Sequence, residues 1–318
     1  DANGYLRATI SFNAPTKAID GSALSSLDSI TVAKGTKVIG RVKNPVPGSA
    51  YSVADINASQ GNNTYTVVAY NKSGIGLKSS VTVYVGVDAP GVPKVSAIDK
   101  TTSVHLSWNA VSGANGGFIK PGEVRYDIFN VDDDGYLSDS VSSVTGTTAY
   151  DVTGLNTNEG DVQNYRSWAV RAANAAGKSG FGSASVVVGK PYLLPFHDSF
   201  KNQTLEDKFF GIHRTTSEYS WGVTSDEAYD GDGGAVSFIS YTAADGYIQT
   251  GKISFAGAVH PKLLFYYKVN GSTPATLKIV VEHKDGSVDA PVYTKDLSTN
   301  TETGWQRAFV DLPPSLAD

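Results

Sequence analysis

Cysteine and methionine are both absent from the 318 residues. Without cysteine there is no disulfide, no thiolate nucleophile and no zinc–thiolate centre. Stability must then come from buried apolar surface, and the compartment is left open. Without methionine, Asp1 is not a translation start. The expectation is that a leader peptide has been removed or that the chain is a segment of a longer one. No stretch approaches the roughly 18 consecutive apolar residues of a membrane-spanning helix. Basic residues are scattered, and 26 Lys+Arg against 31 Asp+Glu leave a formal charge of −5. A protein that tracks nucleic acid needs a basic stripe to displace counterions, and none is present. Helical periodicity is almost nowhere to be found.

What the chain does contain is strand and turn chemistry. It has 33 Gly and 13 Pro among many Ser, Thr, Val and Tyr, which favours strands and tight turns. Short runs alternate with period two, the mark of half-buried strands. Leu6, Ala8, Ile10 and Phe12 fall on one face, as do Val104, Leu106 and Trp108, and again Leu277, Ile279 and Val281. Turn dipeptides punctuate them at Asp20-Gly21, Asp134-Gly135, Asp245-Gly246, Asn270-Gly271 and Asp285-Gly286. Strands at this spacing without intervening helices predict an all-β fold of antiparallel sandwiches.

The first half repeats. "ISFNAP" (Ile10 to Pro15) matches "LSWNAV" (Leu106 to Val111) at an offset of 96 residues. "YTVVAYNKSG" (Tyr65 to Gly74) matches "WAVRAANAAG" (Trp168 to Gly177) at an offset of 103, a net insertion of seven of the kind loops absorb. Each unit ends in a Val-rich strand and a glycine, Gly86 or Gly189. Each is followed by a proline-bearing linker, Val87 to Pro93 or Lys190 to Pro195.

The pattern of Val67, Ala69, Asn71 and Gly74, repeated as Val170, Ala172, Asn174 and Gly177, resembles the penultimate strand and following turn of fibronectin type III domains. Trp108, with Phe12 as its counterpart, resembles the buried aromatic of that family's second strand. The resemblance implies immunoglobulin-like sandwiches over 1–88, whose opening strand is expected to be missing, and over 89–190. After Pro195 the order changes. "YIQTGKI" (Tyr247 to Ile253), "LLFYYK" (Leu263 to Lys268) and then Trp305-Gln306 resemble the jelly-roll domains of the cleaved-adhesin and MAM-like (choice-of-anchor J type) group of bacterial surface proteins. That implies a jelly-roll β-sandwich over 191–318, with its last strands expected to be missing.

Catalytic chemistry is not legible. His105, His197, His213, His260 and His283 form no H-E-x-x-H pair, and Glu282 and His283, adjacent in a strand, point to opposite faces. There is no G-x-S-x-G elbow. "GIGLKS" (Gly74 to Ser79) sits between strands, with no helix N-terminus to hold phosphate. Asn130, Asp132 and Asp134, followed by Gly135, match the first half of a calcium loop, but Val141 stands where the bidentate Glu belongs. A hairpin turn at Asp134-Gly135 accounts for the same residues without metal. The acidic stretch Asp226 to Gly234 is a second candidate for structural calcium. No other cofactor is expected. Ser29 and Ser140, in "DSI" and "DSV", match a short O-glycosylation motif of some Gram-negative bacteria.

Aromatics in the third domain could stack on sugar rings, which requires an exposed ring beside polar donors. Trp221, Tyr229 and Tyr241 are the ligand-binding candidates, with Tyr229, amid Asp and Gly, the most exposed. Trp305, inside a strand, reads as core. The expectation is a non-catalytic, secreted or cell-surface adhesion protein, monomeric, whose sandwiches act as spacers presenting the jelly roll to a glycan or surface protein. The alternative is a set of accessory domains of a larger secreted hydrolase, a protease or glycosidase.

Overall fold

The computed structural model describes residues 3–100, 102–132, 134–155, 163–200, 209–213, 221–224, 228–229, 231, 234–238, 245–270, 275–283, 287–298 and 304–317. Among these there is no α-helix, only strands and two short 3-10 turns. The protein is an all-β sandwich protein. In the first repeat β1 (Ala8–Asn13) pairs with β4 (Ala50–Asp55). Facing them is a second sheet of β3 (Lys37–Lys43), β2 (Ser29–Lys34), β5 (Gly61–Asn71), the two-residue β6 (Gly74–Ile75) and β7 (Ser79–Val85). The second repeat has a similar plan, with three strands in the smaller sheet and four in the larger. Its smaller sheet runs β12 (Ala149–Thr153), β9 (Ser103–Trp108), β8 (Val95–Asp99). The larger runs β11 (Leu137–Thr145), β10 (Arg125–Val131), β13 (Asn164–Asn174), β14 (Gly177–Val188). The sequence repeat is therefore a repeat of topology: β1 corresponds to β9, and β5 to β13.

Alternation places the core. Ala8 and Ile10 of β1 are buried with Val32, Tyr65 and Val85, and Phe12 packs against them. Leu6, expected on the same face, lies before the strand and is exposed. Its carbonyl accepts the Ala58 N–H at 3.1 Å, so the chain has left the pleat there. The Tyr65 ring is fully buried, and its hydroxyl donates to Asp55 Oδ2 at 2.8 Å. Burial works to raise the Asp55 carboxyl, but bonds from Tyr65 and the Asn57 N–H, with Lys34 nearby, hold it below the usual carboxylate range. Burial and Asp55 together push the Tyr65 phenol up. Tyr65→Phe is expected to cost about 1–2 kcal/mol in urea denaturation. A loss below about 0.5 kcal/mol would show that this bond makes no net contribution.

By packing, the chain divides into two compact units. One comprises Asp1–Val95, Ser107–Ala149 and Trp168–Ser183; the other Ser96–Leu106, Tyr150–Ser167 and Ala184–Asp318. Within the first, the segment after β7 is not a free tether. Gly86 and Ala89 accept from the N–H groups of Phe118 and Ala114, and Gly91 N–H donates to Ser112. The carboxylate of Asp88, completely buried, accepts from the Asn115 N–H (2.6 Å), Asn115 Nδ2 (2.9 Å) and the Gly117 N–H (3.0 Å). Asn174 Nδ2 donates to the Asp88 carbonyl at 2.7 Å, so the asparagine of the repeated motif ties β13 to the linker. Glycine is required here by close approach: a Cβ on Gly117 would lie 2.4 Å from Tyr84 Cδ1, and one on Gly113 2.6 Å from Asp88 Oδ2.

The second unit holds the strands after Pro195, which form four antiparallel pairs in two nested sets. β15 (Phe209–His213) and β18 (Tyr247–Thr250) pair around the hairpin of β16 (Trp221–Thr224) and β17 (Ala235–Phe238). β19 (Lys262–Tyr267) and β22 (Gln306–Asp311) pair around β20 (Thr276–Ile279) and β21 (Tyr293–Asp296). The segment after β18 is clasped by the second repeat. Buried Gln163 donates to the Lys252 carbonyl (2.8 Å) and accepts its N–H (2.7 Å). The Lys252 ammonium meets buried Asp99, and Tyr192 brackets residues 252–254 with two backbone bonds of 2.8 Å.

Candidate functional site

The β19–β22 pair carries the feature with the clearest outward chemistry. Its register sets Lys262 against Asp311, Leu264 against Phe309 and Tyr266 against Arg307 on one face. Leu263 against Val310 and Phe265 against Ala308 form the other. Directly opposed residues share a face of the sheet. The second face is inward, with Ala308 and Val310 both 5 % exposed. The first is outward but apolar, with Leu264 at 47 % and Phe309 at 55 % exposure. Both strands have apolar residues on both faces, so the sheet cannot turn one set away from water without exposing the other.

On this outward face the rings are organised. Tyr229 stacks on Tyr266 with centroids 3.5 Å apart and planes 16° apart. Trp305 stands edge-on to Tyr229 at 6.3 Å and 83°. The edge-to-face contact is one that aromatic quadrupoles favour, whereas the two tyrosine rings lie face to face with little offset. Tyr229 remains 53 % exposed. The Phe309 ring is flanked by Lys262 Nζ at 4.9 Å and Arg307 Cζ at 5.9 Å. The Lys262 ammonium is paired with the Asp311 carboxylate across the strands. The result is a partly exposed aromatic platform in which Tyr229 covers Tyr266 and Trp305 stands perpendicular to it, with cations beside Phe309.

The predicted ligand residues separate. Tyr229 is on the platform. Trp221 is instead half-buried in the β16–β17 hairpin, its ring 5.3 Å from Phe238. Its indole N–H is buried without a described partner. Tyr241 lies outside the described residues. Trp305, expected in the core, takes part in the platform because it precedes β22 and its ring meets Tyr229. Tyr266, Arg307 and Phe309 were not anticipated. The signal was available: "KLLFYY" is apolar on both faces after its first residue, and alternation from Trp305 places Arg307 and Phe309 beside it.

The other candidates are placed as follows. Asn130 lies on β10, and Asp132 Oδ1 accepts the Tyr136 N–H at 2.8 Å while its carbonyl accepts the Gly135 N–H at 3.0 Å. Gly135 has φ +85°, which the turn requires. One of the three candidate ligand residues is thus engaged by the turn itself, and among the described residues no three His, Cys, Asp or Glu converge on a metal position. Most of the stretch Asp226 to Gly234 lies outside the described residues. Ser29 is buried within β2 at 6 % exposure, which withdraws its hydroxyl from any transferase once the sheet has formed, whereas Ser140 lies exposed on β11. A second cation–aromatic cluster sits on the larger sheet of the second repeat. Arg171 lies between Phe129 and Phe181 at 5.7 and 5.0 Å. It is paired with buried Asp127, which also holds Arg125 and Ser143. With Arg125 and Arg171 sharing the one carboxylate of Asp127, that cluster keeps a positive charge while it braces the sheet.

No protein-family profile matches the chain, and no curated protein matches it. Solved structures do. It is 24 % identical to the crystal structure of FN3tt, over 31 % of this chain and 95 % of that one, with a TM-score of 0.24. It is 16 % identical to a two-domain fibronectin type III segment of chicken tenascin, over 58 % of this chain and 94 % of that one, TM-score 0.26. It is 17 % identical to the fibronectin(III)-like modules of Clostridium thermocellum CbhA, over 58 % of this chain and 86 % of that one, TM-score 0.22. The tenascin segment and the CbhA modules are fibronectin type III domains.

Proposed function

We propose that the protein is a non-catalytic, secreted or cell-surface binding module. In this reading the two repeats are spacers and the region after Pro195, a jelly roll, engages a glycan. The observation that carries the reading is the exposed Tyr229 ring, stacked on Tyr266 with Trp305 at its edge. A pyranose ring offers a flat C–H face and peripheral hydroxyls. It matches an exposed aromatic surface bordered by charged donors and acceptors, and these are the parts present here. The hydrogen bonds of Asp88 in the first linker and of Tyr192 in the second suit a spacer, because they hold segments that would otherwise be free.

Glycan-array screening followed by calorimetry on the best ligand tests this. Tyr229→Ala is expected to weaken binding at least about tenfold, roughly 1.4 kcal/mol. Trp221→Phe, outside the platform, is expected to leave affinity unchanged. Equal affinity of wild type and Tyr229→Ala for every array ligand would sink the assignment.

A further inference from the structure

We infer that Ser140 is a glycosylation site and that its sugar lies across an aromatic row on the outward face of the second repeat. The inference is independent of the Tyr229 platform. The larger sheet of that repeat buries Tyr126, Ile128, Trp168 and Val170 on one face. The other face carries one side chain from each strand, in sheet order: Ser140 on β11, Phe129 on β10, Arg171 on β13 and Phe181 on β14. Ser140 and Phe129 are directly opposed in the register and so share a face. Arg171 lies between the Phe129 and Phe181 rings, which meet edge to face with centroids 5.7 Å apart. Phe181 is 39 % exposed, and Ser140 is exposed. The register passes from the Ile128–Ser142 pair to the Phe129–Ser140 pair, which leaves Val141 as a bulge. A bulge re-aims the side chains beside it, and β11 is an edge strand, so the Ser140 hydroxyl is open to a transferase. Ser29, in the other match to the tripeptide motif, is buried on β2, a strand paired on both sides. The fold thus separates two sites that the sequence leaves equal.

The step is a glycosyl transfer from a sugar phosphate donor. Ser140 Oγ attacks the anomeric carbon, the C–O bond to phosphate breaks and the bond to Oγ forms. The phosphate leaves with the bonding electrons, and the hydroxyl proton passes to a base of the transferase. Directly opposed Cβ atoms are about 5 Å apart, roughly the width of one pyranose. The first sugar therefore reaches the Phe129 ring, and a second would reach Phe181. Each phenyl ring offers apolar surface to sugar C–H groups. The consequence is protection. β11 runs nine residues along the sheet edge, with Tyr136 and Leu137 exposed where it begins. An exposed edge with apolar side chains invites pairing with another chain. A bulky, solubilising sugar in mid-strand obstructs that pairing.

Wild type, Ser140→Ala and Ser29→Ala would be isolated from the cells that produce the protein. Each would be measured by intact mass and by peptide fragmentation that preserves side-chain sugars. Wild type is expected to exceed the mass of its sequence by at least one sugar, carried on the peptide that holds Ser140. Ser140→Ala should lose that excess and Ser29→Ala should keep it. In NMR spectra the C–H protons of the attached sugar should shift upfield through the phenyl ring currents, and Phe181→Leu should reduce the shift. Unmodified protein, made in a host without the transferase, should aggregate several-fold faster than the glycosylated form. Ser140 found only at its unmodified mass, or a mass excess that Ser140→Ala leaves unchanged, would overturn the site. Sugar protons at their free-solution positions would overturn the aromatic bed, and equal aggregation rates would overturn the protective role.

Discussion

Asp88→Ala is expected to lower the stability of the protein by roughly 3 kcal/mol, because buried donors left without an acceptor cost about 1–3 kcal/mol each. The substitution removes the acceptor for the Asn115 and Gly117 N–H groups and for the Asn115 side chain, all in a region with no water access to the carboxylate. Burial alone would raise the Asp88 carboxyl, but the Asn115 side chain and the N–H groups of Asn115, Gly117 and Ala89 outweigh it and leave it below the ordinary value of 3.8. A carboxyl lowered on folding stabilises the native state above the unfolded-state value of about 3.9, and that stabilisation is lost as pH falls through the folded value. Asp55 and Asp127 are lowered too, so wild type has several acid-sensitive groups. The difference between wild type and Asp88→Asn isolates this one. It should be largest at neutral pH and shrink below about pH 4. Denaturant titrations of the two proteins at pH 7 and pH 3 would read it. A pH-independent difference would show that the carboxylate charge has no part in the joint. Gly117→Ala should be comparably damaging, since its methyl would meet Tyr84 and Asp88 well inside van der Waals contact.

Gln163→Glu should destabilise the second unit by about 2–4 kcal/mol at neutral pH, more than a surface change of the same kind. Gln163 is 1 % exposed and uses its amide in both directions, donating to the Lys252 carbonyl and accepting its N–H. A carboxylate keeps the acceptor but sets an oxygen against the carbonyl. Burial and that carbonyl would raise the new group's folded-state pKa, so protonation restores a donor. The loss should therefore diminish as pH falls through that raised value and return as it rises. Gln163→Ala, which cannot regain a donor, should show no such recovery. Thermal melts of all three proteins from pH 7 to pH 4.5 would compare them. Parallel behaviour of the two variants would mean that the donated bond to Lys252 is not what the site depends on.

The platform and the two clasps differ in how far they could be read from the chain alone. Period-two alternation and turn dipeptides were enough to mark the strands, because both are set by the pleat and by φ preferences over a few residues. The match between Ile10–Pro15 and Leu106–Val111 was enough to establish a repeat, and β1 and β9 hold equivalent places in their sheets. Tyr229 was legible as an exposed ring because Asp and Gly surround it. The absence of cysteine and of long apolar runs needed no structure to exclude disulfides, thiolate chemistry and helical membrane spans. What only the tertiary structure decided was which apolar face of β19 and β22 turns outward. Both faces carry large apolar side chains, so the choice depends on what packs behind, and it made Trp305, Tyr266 and Phe309 platform residues instead of core. It also decided that Asp132 closes its own turn, since an Asx cap and half a calcium loop use the same residue types at the same spacing. Gln163 and Asp88 carry no local pattern, because their partners lie 89 and 27 residues away in sequence and only folding brings those donors and acceptors together out of water.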